Sequence, residues 1–306
     1  MGAIPGIEED WSFITVVLSN KSGLKMSGLR DEGAHASAVR EDTMGRGFVA
    51  AILGAAVLAW PGAPASAADA KQELAPTGPV RIGLVEAPDA GVFFVARGPD
   101  GAPRGVVADL GADLARNLGV AVAFKVFPNS GEATDAVRSG AVDVSFMPVD
   151  EARRAIVAFG PGYYDLESTY LVTAAAGVGD VSEVDRPGFR VVAIAGTTTF
   201  RASARTLTKT QPVAVPSVAE ASAMMRDGRA DAFALSRDTL PPIARTIPGS
   251  HIVTGGFQRT SVAVAVAKDH AAALAWVTGW LDEAKRDGTV KRIFTANELG
   301  DQPVAQ

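Results

Sequence analysis

The chain reads as an α/β protein built of two similar lobes, each a mostly parallel sheet flanked by helices. Three observations carry that reading. Short apolar runs alternate with stretches whose apolar residues recur every four positions, the rhythm of strand and helix. A Gly-x-x-Asp pair launches a strand at Gly140/Asp143 and again at Gly228/Asp231. Strand ends also run into glycine- or threonine-rich turns that open helices, as at Gly196-Thr197-Thr198-Thr199. The echo points to a doubled body rather than one large sheet.

Composition narrows the function classes. The 306 residues are 47% hydrophobic, enough for packed α/β lobes and too apolar for a disordered chain. A net charge of −5 leaves no basic footprint, so nucleic acid is not an expected partner. No cysteine is present, which removes disulfides, thiolate metal sites and a cysteine nucleophile. His35, His251 and His270 are scattered, so neither a metal centre nor a cofactor site is expected.

The N-terminus reads as a targeting segment. Met44-Gly45-Arg46 is a short basic start, and Phe48–Trp60 is an apolar core too short to span a bilayer. Pro61 to Pro64 breaks that core, and Ala65-Ser66-Ala67 supplies a small-x-small cleavage signal before Ala68. Residues 44–67 are therefore expected to be a signal peptide, and residues 1–43 an upstream start-site extension outside the fold. With no cysteine for a lipid anchor, a free periplasmic protein follows.

From Val80 the elements alternate. Val80–Val85 is a strand; Glu86–Arg97 an irregular crossing with Phe93 and Phe94; Gly105–Leu118 a helix closed by Gly119. Strand Val120–Val126, helix Gly131–Arg138 and strand Val142–Phe146 complete the first unit. The second unit repeats it with strand Phe189–Ile194, the threonine-opened helix, strand Pro212–Val215, helix Val218–Arg226 and strand Ala232–Leu235. Ser261–Val266 is a last strand. Asp269 is expected to cap a long helix bearing Leu274, Val277 and Leu281, ended by Asp287-Gly288, and Val290–Leu299 finishes the fold before a short tail, 300–306.

One stretch, Gly140 to Thr173, organises the rest. A buried strand leads to Asp150, the arginine pair Arg153-Arg154, the Gly/Pro/Tyr-rich segment and the apolar run Tyr170–Val172. Ligands of open α/β sheets bind at the carboxyl ends of strands, where an arginine offers a planar fork to a carboxylate. Gly140 and Asp143, Arg153, Phe159 six residues on, and Pro161 to Tyr164 resemble the frame of the amino-acid-type periplasmic solute-binding proteins of ABC importers, family three. The resemblance covers roughly Val80 to Leu299. It implies a type II two-lobed fold with the ligand cleft between the lobes. Lobe 1 would span 76–171 with 263–299, lobe 2 172–262, and the crossings would fall at Leu171–Thr173 and Ser261–Ala263.

The residues expected at the ligand are Glu86, Phe94, Met147, Arg153, Thr197, Thr198, Thr199 and Ser236. Arg153, favoured over Arg154 by the spacing to Phe159, would clamp a carboxylate. Thr197 to Thr199 would add free amides and hydroxyls at a positive helix end. Ser236 departs from the resembled family, whose members carry there an Asp that pairs with the α-ammonium. Either Asp238 or Glu86 takes that role, or the ligand has no ammonium; the second reading is favoured, giving a small anionic, carboxylate-bearing solute. The expected partner is an inner-membrane ABC permease, the expected state a monomer. The rival is an enzyme of the cyclohexadienyl-dehydratase type, with Glu86, Asp150 or Glu167 as its acid.

Overall fold

The computed structural model describes residues 67–86, 95–98 and 101–305. The expected signal peptide apart from Ala67, the upstream extension, and Phe93 and Phe94 lie outside the described residues.

In chain order the elements are α1 (Ala67–Leu74), β1 (Val80–Val85), β2 (Ala96–Arg97), β3 (Pro103–Arg104), α2 (Val106–Leu118), β4 (Val122–Phe127), α3 (Ser130–Arg138), β5 (Val144–Pro148), α4 (Glu151–Arg154) and β6 (Val157–Val172). There follow β7 (Val191–Ile194), α5 (Thr198–Thr206), β8 (Val213–Val215), α6 (Val218–Arg226), β9 (Ala232–Ser236), α7 (Leu240–Arg245), β10 (His251–Ile252), β11 (Gln258–Ala267), α8 (Ala271–Arg286) and α9 (Thr289–Ala296). Among the described residues, no helix is long and apolar enough to cross a membrane.

The doubling is visible in the strand order. In the first lobe β1 lies between β4 and β5, all parallel; in the second β7 lies between β8 and β9, again all parallel. β11 then pairs antiparallel with β5, and β6 antiparallel with β9. Because β6 and β11 also pair with each other, the ladder is continuous through both lobes. The expectation of separate sheets therefore needs amending: there are two parallel cores, joined by a shared antiparallel pair.

That pair explains the largest difference from the sequence reading. The Gly/Pro/Tyr-rich segment is part of the 16-residue strand β6, which begins well before the apolar run Tyr170–Val172. Pro161 cannot donate to a ladder, and the β6–β11 register slips beside it, between Val262 and Ala263 and again before Ala265. β11 is correspondingly longer than the apolar run Ser261–Val266, since Gln258, Arg259 and Thr260 pair with Ser168, Glu167 and Leu166. Long-range pairing extends a strand where local polarity gives no sign of it.

Each lobe buries apolar surface on both faces of its sheet. In the first, Ile82, Leu84, Phe146 and Val264 meet Leu110, Leu114, Val277 and Leu281, while Val137, Val142 and Met147 pack on the opposite face. Phe294 of α9 is fully buried edge-on against Tyr163 and Tyr164, with centroids 6.4 and 6.1 Å away, so the C-terminal helix closes the first lobe. The second lobe covers β7 and β9 with α6 and α7 on one side and with Phe189, Leu207 and Val253 on the other. Asp269 does not cap α8. His270 holds that position, and Glu73 of α1 reaches across to accept from the Ala273 amide at 2.7 Å. Helix α1 thus packs on α8, ahead of the first strand.

The Gly-x-x-Asp echo has a shared structural cause. Asp143 accepts the backbone N–H of Arg81 (2.8 Å) and both edges of its guanidinium (3.0 and 2.5 Å). Asp231 takes the same three donors from Arg190. Each carboxylate ties the first strand of its lobe to the third. The Asp143 side chain is 3% exposed, and Arg190 is 52% exposed beside Asp231. Removing the charge of Asp143 leaves a buried cation edge unpaired, so Asp143→Asn is expected to cost about 2–4 kcal/mol in urea unfolding. Asp231→Asn, beside a solvated arginine, is expected to cost at most about 1 kcal/mol. Hydrogen bonds from Arg190 hold the Asp231 carboxyl below the ordinary aspartate value. Its stabilisation is complete above that ordinary value and is lost as pH falls through the lower folded value, so D231N should show a shallower acid transition than the parent.

Candidate functional site

The carboxyl ends of β1, β5, β7 and β9 converge on an internal cavity of about 90 Å³. The first lobe contributes Gly83 to Val85, Pro128 to Ser130, Phe146 and Pro148; the second contributes Ile194, Thr197 to Thr199, Leu235, Ser236, Asp238 and Thr239. Tyr163, Tyr164 and Leu166, on the shared strand β6, close one side.

On the second lobe the site is built from the start of α5. The Thr197 hydroxyl accepts from the Phe200 amide (3.1 Å) and donates to the Ile194 carbonyl (2.7 Å), so it serves as the helix cap. The amides of Thr198 and Thr199 are then the helix-end donors without a partner among the described residues. Thr198 is 1% exposed and its Oγ1 has no partner either. Thr199 Oγ1 lies 3.2 Å from Ser168 Oγ. A positive helix end with two free amides and one free hydroxyl can hold a carboxylate without any side-chain cation.

The lobes also touch directly around the cavity. Asn129 caps α3 and donates across to the Pro216 carbonyl at 3.2 Å. Asp150 caps α4 and receives Nε and Nη2 of Arg201 from the other lobe. The Tyr164 hydroxyl donates to Asp238. At the closest approach two glycines meet: a Cβ on Gly131 would lie 2.9 Å from Gly196 Cα, and Gly196 has φ +69°, a left-handed conformation suited to glycine.

Arg153, the expected clamp, is 2% exposed and lies behind the wall rather than on it. Its Nη1 donates to the Pro148 carbonyl (2.9 Å), and its Nη2 to Ser130 Oγ (2.7 Å) and, across the gap, to the Gly196 carbonyl (3.2 Å). Arg201 Nη1 reaches the same carbonyl at 3.1 Å. Burial, and then the nearby Arg201, lower the Arg153 pKa to about 10 against the pull of Asp150, which still leaves it charged at neutral pH. Its fork engages protein carbonyls and the hydroxyl of Ser130, which does line the cavity. Helix α4 is a single turn, and its capping bond from Asp150 turns Arg153 inward while Arg154 faces out beside Phe159.

Of the other expected residues, Thr197, Thr198, Thr199 and Ser236 line the cavity together. Met147 does not: strand residues alternate in direction, Phe146 and Pro148 face the cavity, and Met147 points into the core beneath Thr134. Glu86 bridges to Val95 at the half-exposed end of β1 and is not part of the wall. Ser236 turns its hydroxyl to Thr239 Oγ1, 2.7 Å away. Asp150 and Glu167, the rival acids, are taken by Arg201 and by Arg237 with Arg259. Asn129 and Ser130 escaped the sequence reading. Their signal is the echo of Pro128-Asn129 in Pro216-Ser217, a proline and a helix cap after the second strand of each lobe.

The charge that does reach the described wall is the carboxylate of Asp238. It offers nothing to an anion, so the expectation of a solute lacking an ammonium finds no support here. Among the described residues, no cluster of acids and histidines is placed to hold a metal.

Two lobes sharing a strand pair and meeting over an internal cavity define a clamshell ligand-binding protein. Residues 89–296 match the bacterial extracellular solute-binding proteins, family 3, and the chain belongs to that family. A search of curated proteins returned no match. Among solved structures, it is similar to the solute receptor for L-cysteine of Neisseria gonorrhoeae, with TM-score 0.69 and 23% identity over 78% of this chain and 99% of that one. An ancestral amino-acid-binding protein, a precursor of cyclohexadienyl dehydratase, gives 0.62 and 26% over 74% and 97%. An ancestral arginine-binding protein bound to arginine gives 0.63 and 24% over 72% and 98%.

Two substitutions probe the contacts between lobes. Gly131→Ala forces its Cβ against Gly196 and is expected to weaken solute binding roughly tenfold, from an overpacking cost of about 1–3 kcal/mol, with the unliganded melting temperature little changed. Arg201→Gln removes a half-buried pair worth about 1–2 kcal/mol and should raise the solute off-rate several-fold while the on-rate holds, as read by stopped-flow fluorescence.

Proposed function

We propose that the chain is the solute-binding component of an ABC importer, exported by residues 44–67, acting in the periplasm as a monomer and delivering an amino acid to an inner-membrane permease. The observation that carries this reading is the α5 end, where two free amides and the free Thr198 hydroxyl face a cavity closed by both lobes. A carboxylate bound there would be shared between the lobes, because Ser130 and Asn129 stand on the opposite wall. Ligand bonds made from both sides in the closed form shift the population towards closure, and the closed shape is what the permease would read.

We place the swing where β6 and β11 pair with each other alone, at residues 165–167 and 259–261. From Ser168 onward β6 already belongs to β9, so the first crossing moves ahead of the expected 171–173. Arg153 is assigned to closure, fastening the Gly196 carbonyl beneath the solute. The reading needs no catalytic group. The rival dehydratase requires an acid of raised pKa at the substrate. Support for transport over turnover is that the carboxyl on the wall is bonded to a tyrosine, and that the similar precursor protein is itself described as amino-acid-binding.

The test is a thermal-shift panel of the standard amino acids, read with small-angle scattering. A cognate amino acid at about 100 times its Kd should raise the melting temperature by about 5–10 °C and reduce the radius of gyration. Binding of organic acids with no response to any amino acid would overturn the reading, as would turnover of prephenate.

A further inference from the structure

Resting on the amino-acid reading above, we propose that Ser168 and Tyr170 are positioning residues for solute capture. Their hydroxyls, paired with Thr199 and Ser203, set where α5 sits along β6 and so aim its free amides at the cavity.

Helix α5 buries an unusual face. Its buried residues are Thr198, Thr199, Ala202 and Ser203, with no leucine, isoleucine or valine among them. The other helices of the second lobe are ordinary in this respect: α6 buries Val218 and Met225, and α7 buries Leu240 and Ile243. Apolar contact is non-directional and tolerates a helix that slides or turns. A buried hydroxyl is costly unless bonded, and its bond has a short range and a preferred angle. A helix seated on hydroxyls is therefore held to one position.

The partners of both hydroxyls come from β6. Ser168 Oγ lies 3.2 Å from Thr199 Oγ1, and the Tyr170 hydroxyl 3.0 Å from Ser203 Oγ. Ser168, Tyr170 and Ser203 are each at most 1% exposed, and none of them is on the cavity wall. Burial raises the Tyr170 pKa above the ordinary phenol value, so the hydroxyl keeps its proton. The Tyr170 ring is itself held against Phe257, with centroids 4.6 Å apart. Four residues of helix rise about 6 Å and two residues of strand about 6.6 Å, so the two pairs stand level as rungs between α5 and β6. Two rungs fix both the slide of the helix and its rotation. A slip of about 1 Å takes a hydrogen bond of about 2.9 Å out of range, and the amides of Thr198 and Thr199 share that tolerance. Ser168 is also the first residue of β6 to pair with β9, directly beyond the swing placed at 165–167. The strand that leaves the hinge thus carries the helix end with it.

The experiment compares Y170F, S203A, Y170F/S203A and S168A with the parent, each as the purified protein stripped of bound solute by unfolding and refolding. Calorimetric titration of the parent with the standard L-amino acids selects its tightest binder, which is then the probe for every variant. S222A is the control, since Ser222 of α6 is 2% exposed in the same lobe and its hydroxyl has no partner. Y170F, S203A and S168A should each weaken the probe about five- to tenfold. In Y170F/S203A neither hydroxyl of the pair is left unbonded, so the urea midpoint should return most of the way to that of the parent. Its affinity should stay at least as low as in the single variants. The shifts that the probe induces in the Thr198 and Thr199 amide signals, read by NMR, should shrink in the same variants, and S222A should bind as the parent does. Because Tyr170 and Ser168 act on separate rungs, either one is read by itself if the other variant does not fold. Parent-like affinity in Y170F and S168A refutes the proposal. So does affinity that recovers with stability in the double variant, or a loss in S222A equal to that in S168A. Each of these outcomes leaves amino-acid capture standing. Failure of the parent to bind any standard amino acid overturns that reading and this proposal with it.

Discussion

Both lobes hang on one antiparallel pair, β6 with β11. Each lobe is a parallel core of three strands that cannot be joined to the other by parallel pairing without a covering helix. The antiparallel pair needs none, since β6 gives its far half to β9 while β11 gives its far half to β5. The cavity, the lobe contacts and the meeting of Gly131 with Gly196 follow from where this pair leaves the two cores. A segment holding Gly160, Pro161 and Gly162 suits the role. Gly160 and Gly162 sit so close to Val264 and Ser261 that side chains there would collide, and Pro161 breaks the register just where the pair must bend.

Electrostatics divides the labour around the solute. Arg153 and Arg201 converge on the Gly196 carbonyl, and Arg201 also pairs with Asp150, so on the proposed function their charge would act on closure and on the field behind the wall. Apart from the Asp238 carboxylate, the described cavity wall carries weaker groups, among them the α5 amides and the Thr198 hydroxyl. On the proposed function that arrangement would make recognition depend on geometry, because Ser130 stands on the wall opposite the α5 end and contributes only where the lobes meet. Closure and recognition would then be one event rather than two.

The parallel cores were legible from spacing alone. Val80–Val85, Val218–Arg226 and the threonine-opened helix sit where the apolar rhythm and the caps put them, within a residue or two. The Gly-x-x-Asp echo was legible too, because Asp143 and Asp231 answer arginines at matching positions of the two lobes. The full length of β6 and β11, and the docking of α1 on α8, were not. Each depends on partners far along the chain, such as Glu73 reaching the Ala273 amide, and no local pattern encodes them.

Thr197, Thr198 and Thr199 line the cavity as their residue types suggest, since a strand–glycine–threonine turn makes its own free amides wherever it folds. Side-chain direction was not open to the same reasoning. Met147 and Phe146 are neighbours in the chain and face opposite sides of one strand; Arg153 and Arg154 share a helical turn and point apart. Ser236 and Asp238 both line the cavity, because a turn closed by Thr239 sends the intervening Arg237 away from it. The amino-acid sequence by itself determined two α/β lobes, their turns and the helix end with its free amides, because these rest on interactions between near neighbours. Only the tertiary structure decided which charge faces the cavity, because that depends on which side chains the opposing lobe has already engaged.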